Sequence, residues 1–261
     1  MNTGTNALKH VIVPCDGIPD RVTVAVARSF AGRLGIPVIL FSIVSEHREA
    51  EDADELWRLA GQSGPDVSAA VVLDDGRPIA AQLVEFADAP DALMCLRTHA
   101  EPAIIEALFG SIAEAVLRAS TRAILAIGPK CRPSLAGNRL IVAVDDDLLH
   151  PSTDPAWLGE VLDLAGAARY ALQYITITDD NATDSAAHVA AQLSGLDDVS
   201  MIAADVRATT TIDRLLIGNA TVQLLRHAKC PVLIRGHGHE HRGAALTATR
   251  ALPLRHGGST G

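Results

Sequence analysis

The chain has 261 residues, 48% of them hydrophobic and 20% charged, with a formal charge of −9. That is enough apolar material for a packed core, which excludes extensive disorder. The charge divides as −6 over residues 1–130 and −3 over 131–261. Neither half has the basic excess that a nucleic-acid backbone demands, so no nucleic-acid partner is expected. No run approaches the roughly 18 apolar residues of a membrane span, and Met1 to His10 lacks an apolar signal core. A soluble, cytoplasmic protein without a membrane partner is the expectation.

Aromatic residues are only 3% of the chain, so the core must be built from Ala, Val, Leu and Ile. Such cores suit parallel strands covered on both faces by helices. In chain order the apolar runs and their punctuation predict a strand at Val11–Cys15, a helix at Val22–Leu34 and a strand at Val38–Val44. An acidic helix follows at Glu46–Ala60, then a strand at Val67–Leu73 and a helix from Pro78 to Ala87. Ala92–Leu96 reads as a fourth strand, Ser111–Ala119 as a helix and Ala123–Ile127 as a fifth strand. Further strands are predicted at Leu140–Val144, Ala171–Ile177, Val199–Ala203 and Pro231–Ile234. Strands alternating with helices mean crossover units and a parallel sheet.

Internal similarity organises this list. His10-Val-Ile-Val-Pro-Cys-Asp16 reappears as Arg139-Leu-Ile-Val-Ala-Val-Asp145 at an offset of 129 residues. Leu108-Phe-Gly110-Ser111, with its helix and closing strand, reappears as Leu216-Ile-Gly218-Asn219 at an offset of 108. Two blocks in the same order imply a tandem duplication. From Val44 to Gly110 the first copy spends 66 residues, whereas from Ile177 to Gly218 the second spends 41. The deficit matches one helix and one strand, so the second copy should lack its third strand. The expected division is a first domain at 1–130, a linker at 131–137, a second domain at 138–236 and a flexible tail at 237–261.

These blocks resemble the universal stress protein family, here as a tandem pair. The resemblance rests on Pro14-Cys-Asp16-Gly17, on Gly76-Arg-Pro78 leading into Asp91-Ala-Leu-Met-Cys, on the Gly-Ser and Gly-Asn helix openings, and above all on Arg226-His-Ala-Lys-Cys230-Pro-Val-Leu-Ile. It implies an α/β fold of two doubly wound parallel-sheet domains with strand order 3-2-1-4-5, the second shortened and without strand three. It also implies pairing through the fifth strands, hence an intramolecular pseudo-dimer at Ala123–Ile127 and Pro231–Ile234, with a homodimer as a further assembly.

The family's ATP-binding members carry a phosphate loop, Gly-x2-Gly-x9-Gly-Ser/Thr, in which glycines admit backbone N–H groups to the phosphate. Here the first two glycine positions hold Arg97 and Ala100, while Gly110-Ser111 is kept. In the second copy the same positions hold Asp205 and Ala208 before Gly218-Asn219. By resemblance Asp16 is the nucleotide-contacting carboxylate, or else a turn or cap carboxylate. Ile43 packs on adenine, or is simply a β-branched residue of a buried strand. Arg97 is either a phosphate contact or a surface arginine at a strand end, and Gly110-Ser111 is either phosphate-binding or a tight turn with an N-cap. The ligand implied is ATP or another adenine nucleotide, bound weakly at best.

Other motifs are absent from the sequence: no P-loop, no nucleophile elbow and no zincin helix. His237, His239 and His241 alternate in the tail without closed-site spacing, so no metal is expected. Cys15, Cys95, Cys131 and Cys230 form no C-x-x-C pair and read as small hydrophobes. The resulting expectation is a non-catalytic stress-response or regulatory protein that acts through an unidentified protein partner or through nucleotide sensing. The alternatives are an ATP-binding switch with a competent first domain and a nucleotide-dependent enzyme on the same fold.

Overall fold

The computed structural model describes residues 8–17, 19–45, 49–98, 111–132, 137–145, 155–177, 198–204 and 224–235. The first half contains β1 (His10–Pro14), α1 (Arg21–Leu34), β2 (Val38–Val44), α2 (Glu49–Ser63), β3 (Val67–Leu73), α3 (Ile79–Ala87), β4 (Ala92–Arg97), α4 (Ser111–Ala119) and β5 (Ala123–Ile127). The second contains β6 (Arg139–Asp145), α5 (Pro155–Ala167), β7 (Ala171–Ile177), β8 (Val199–Ala204) and β9 (Val232–Arg235).

The nine strands among the described residues join one sheet in the order β3-β2-β1-β4-β5-β9-β8-β6-β7. The first five give 3-2-1-4-5, and the four described strands of the second half follow the same order reversed, with no third strand among the described residues. The first is the order that the resemblance implied; the expected loss of the third strand falls on residues 178–197, outside the described residues. Every pairing is parallel except β5 with β9, where Leu125 lies opposite Leu233 and Ile124 opposite Ile234. The strands of the two halves therefore run in opposite senses across this seam, and their carboxyl ends lie on opposite edges of the sheet. The expected meeting of the two closing strands is present.

The side chains alternate between two apolar layers. Ile12, Phe41, Met94, Ile124 and Ile202 face α3 and α4, whose Leu83, Ala87, Val116 and Leu117 cover them. Val11, Leu40, Cys95, Leu125 and Leu233 face the other way, towards α1, α2 and α5. Small aliphatic side chains suffice because each strand is roofed on both faces.

Local rules explain both ends of α1. Asp20 caps α1, its carboxylate accepting from the Thr23 amide at 2.8 Å and the Thr23 hydroxyl at 2.7 Å. Gly35, at φ 67°, closes the same helix in the left-handed conformation. Pro78 stands just before α3 as its N-cap rather than as its first residue, because its ψ of 132° is extended. Strand β1 ends at Pro14, not Cys15, although the Cys15 amide still donates to the Phe41 carbonyl at 2.7 Å. Helix α5 was not among the expected elements; Trp157, Val161 and Ala165, spaced one turn apart, bury its inner face. The predicted helix start at Glu46, the residues 205–223 and the tail lie outside the described residues.

Further contacts tie the halves together. Arg33, at the end of α1, donates to the Gly137 carbonyl and stacks 4.7 Å from the ring centre of Tyr170. The predicted linker begins in ordered contact: Cys131 is buried, and the Arg132 amide donates to the Lys229 carbonyl at 2.9 Å.

Candidate functional site

In an open parallel sheet, ligands sit beyond the carboxyl ends of the strands where the strand order reverses. In the first half that point lies between β1 and β4. Asp16 follows β1 there and is exposed. Ile43, one residue from the end of β2, pairs with Val72 and packs partly buried on the α3/α4 side. Arg97 is the last residue of β4, and Ser111 is the first of α4. The sheet thus brings Asp16, Ile43 and Arg97 to one edge. Ala100 and Gly110, together with Asp205, Ala208 and Gly218-Asn219, lie outside the described residues.

Arg97 turns towards the start of α1, where its Nη1 lies 3.6 Å from Asp20 Oδ2. That nitrogen is buried and makes no hydrogen bond, so the ion pair is its electrostatic partner. The adjacent Thr98 is fully buried, and its amide and hydroxyl both donate to the Ile127 carbonyl, at 2.9 and 3.0 Å. These two hydrogen bonds clamp the exit of β4 against the end of β5. Asp20 and Thr98 were not singled out from the sequence; the Asp20-Arg-Val-Thr23 cap was a legible signal for the first.

The β5/β9 seam adds charge to the same edge. Lys130 follows β5, and residues 224–227 form the helical turn that precedes β9. Lys130 Nζ lies 3.3 Å from His227 Nδ1. Desolvation lowers the pKa of His227, and the neighbouring Lys130 and Arg226 lower it further. Gly128 makes the approach possible, since a Cβ there would sit inside the van der Waals envelope of the Leu225 carbonyl oxygen.

No protein-family model matches the chain, and no curated protein matches it. Solved structures do. A protein of unknown function from Pseudomonas aeruginosa aligns at TM-score 0.63 and 16% identity, covering 91% of this chain and 95% of its own. A putative universal stress protein from the same species gives 0.59 and 17%, covering 90% and 95%. A universal stress protein from Archaeoglobus fulgidus gives 0.54 and 14%, covering 90% of this chain and all of its own, 100%. The fold is that of a tandem universal stress protein.

Within this universal stress protein fold the thiols are structural. Burial pushes Cys15, Cys131 and Cys230 up to about 12 and Cys95 higher still, so all four are protonated thiols near neutral pH. Among the described residues, no group of three or more His, Cys, Asp or Glu side chains is placed to hold a metal ion. Among the same residues no helix is long and apolar enough to cross a membrane.

Proposed function

We propose that the chain is a non-catalytic stress-response or regulatory protein in which the first half carries the ligand crevice and the second half is scaffold. The division at residues 131–137 belongs to this reading. The supporting observation is the convergence of Asp16, Ile43, Arg97 and the start of α4 at the carboxyl edge of a universal stress protein sheet. The ligand class is an adenine nucleotide, with Asp16 near the ribose and Ile43 against the base.

Affinity should be low. Arg97 and Ala100 put side chains where the family's loop brings backbone to phosphate, and Arg97 is committed to Asp20. Each charge-assisted phosphate bond lost costs about 1.5–3 kcal/mol, so losing two weakens binding by roughly 10²–10⁴-fold. In the second half, Asp205 replaces a loop glycine. One like-charge contact at about 5 Å costs about 3 kcal/mol at an effective dielectric of 20. The first half is therefore the one to bind.

Calorimetry with ATP tests the reading. Weak binding that is lost in Asp16→Ala supports it. Low-micromolar ATP affinity would instead favour a nucleotide switch, and no binding of ATP or adenosine would remove the nucleotide from the account. Turnover of ATP by the purified chain would overturn the non-catalytic assignment.

A further inference from the structure

The second half presents cations to an edge that otherwise belongs to the first. Because β5 and β9 are antiparallel, the segment entering β9 lies at the same edge as the carboxyl end of β5. Lys130 stands on one side of that junction, with Arg226 and His227 on the other. The two backbones are fixed against each other by the Arg132 amide on the Lys229 carbonyl at 2.9 Å and by the close packing of Gly128 on Leu225. The helical turn carrying Arg226 and His227 buries Leu224, Leu225 and Ala228 in the same apolar layer as Val116 and Leu117 of α4. The cations thus share α4's side of the sheet.

We propose that Lys130, Arg226 and His227 form a binding site for a condensed phosphate, the charged end of a ligand whose other end occupies the crevice between β1 and β4. The nucleotide part of this proposal rests on the functional reading above; the phosphate part rests on the seam alone. Lys130 donates to the neutral His227 ring at 3.3 Å, and Arg226 lies close enough to act on the same ring, so two positive charges gather here in a chain of net charge −9. An anion placed beside Lys130 and Arg226 gains charge-assisted bonds from both halves at once. Burial, and after it Lys130 and Arg226, lower the pKa of His227, so near neutral pH the ring is an uncharged hydrogen-bonding group beside the two cations.

This arrangement differs from a glycine loop in its chemistry. Side chains replace backbone amides as donors, and the donors come from the junction of the halves rather than from the segment after β4. Loss of the loop glycines and retention of phosphate affinity are then compatible.

The test uses the full chain and inorganic tripolyphosphate, titrated by calorimetry at low salt, with ATP and adenosine as parallel ligands. Tripolyphosphate should bind, and Lys130→Gln and Arg226→Gln should each weaken it by about tenfold or more. Lys130→Arg should retain most of the affinity. Unchanged circular dichroism and melting temperature in the variants would separate lost charge from lost fold. ATP should lose affinity in parallel with tripolyphosphate, while adenosine should not respond. Failure of tripolyphosphate to bind, or binding by both Gln variants as tight as that of the unaltered chain, overturns the proposal. If tripolyphosphate responds as expected but adenosine and ATP show no base-dependent binding, the phosphate site stands and the nucleotide reading falls.

Discussion

Leu125 in β5 lies directly opposite Leu233 in β9, and both are almost completely buried. This pair sits at the centre of the only antiparallel pairing among the described strands, where the two halves become one sheet. An apolar strand left unpaired at an edge is a template for aggregation. The chain covers each closing strand with the other.

Cutting the chain should therefore expose a liability. A chain ending at residue 133 is expected to be less soluble than the whole protein or to self-associate, as read by analytical ultracentrifugation. In the intact protein, Leu233→Ala removes a buried side chain from the seam and should cost about 2–5 kcal/mol in denaturant unfolding. A soluble monomeric first half would show that the seam protects nothing.

Glycine substitutions should have opposite signs at two positions. Gly128→Ala forces a methyl group onto the Leu225 carbonyl and should cost about 1–3 kcal/mol. Gly61 lies inside α2 with nothing within 4 Å of an added Cβ, so Gly61→Ala should stabilise by about 0.5–1 kcal/mol. Urea midpoints of the two variants check both signs.

Asp20 has two tasks, capping α1 and facing Arg97. Asp20→Ala should cost at least the loss of a cap, about 0.5–2 kcal/mol. It also leaves a buried guanidinium nitrogen without its counter-charge. In a double-mutant cycle with Arg97→Ala the losses should be less than additive, because removing Arg97 removes that second penalty. Simple additivity would mean that the 3.6 Å ion pair contributes nothing.

Acid should destabilise the fold in two stages. The pKa of His10 is lowered from 6.5, chiefly by burial, with Asp91 opposing and Lys9 assisting. A histidine that resists protonation when folded binds fewer protons than in the unfolded chain, so stability falls as pH drops through and below 6.5. Asp66 and Asp91, held low by Arg28 and Lys9, add a second loss as pH falls further through the carboxylate range. His10→Gln should shrink the first stage, leaving the part that His227, whose pKa is also lowered from 6.5, contributes, and should leave the second unchanged. An unaltered slope between about pH 7 and 5 would assign the first stage to other groups.

Sequence alone determined the element order of the first half and the return of its strand pattern in the second. Those features are written in local signals: apolar runs of strand length, the Gly35-Ile-Pro37 break, and repeated blocks at unequal offsets. It also placed Asp16 and Arg97 at strand ends, because in a parallel sheet the end of each apolar run marks the same edge. Helix α5 was legible too, in Pro155 followed by Trp157, Val161 and Ala165, but it has no matching sequence block to announce it. What only the tertiary structure decided is where the long side chains at that edge go. Arg97 reaches an acid 77 positions earlier in the chain, and Lys130 meets His227 across 97 positions. Such meetings depend on the antiparallel seam and on the packing that holds each turn in place. No period or spacing along the chain encodes them, because the energy that selects them comes from contacts formed only after the strands have paired.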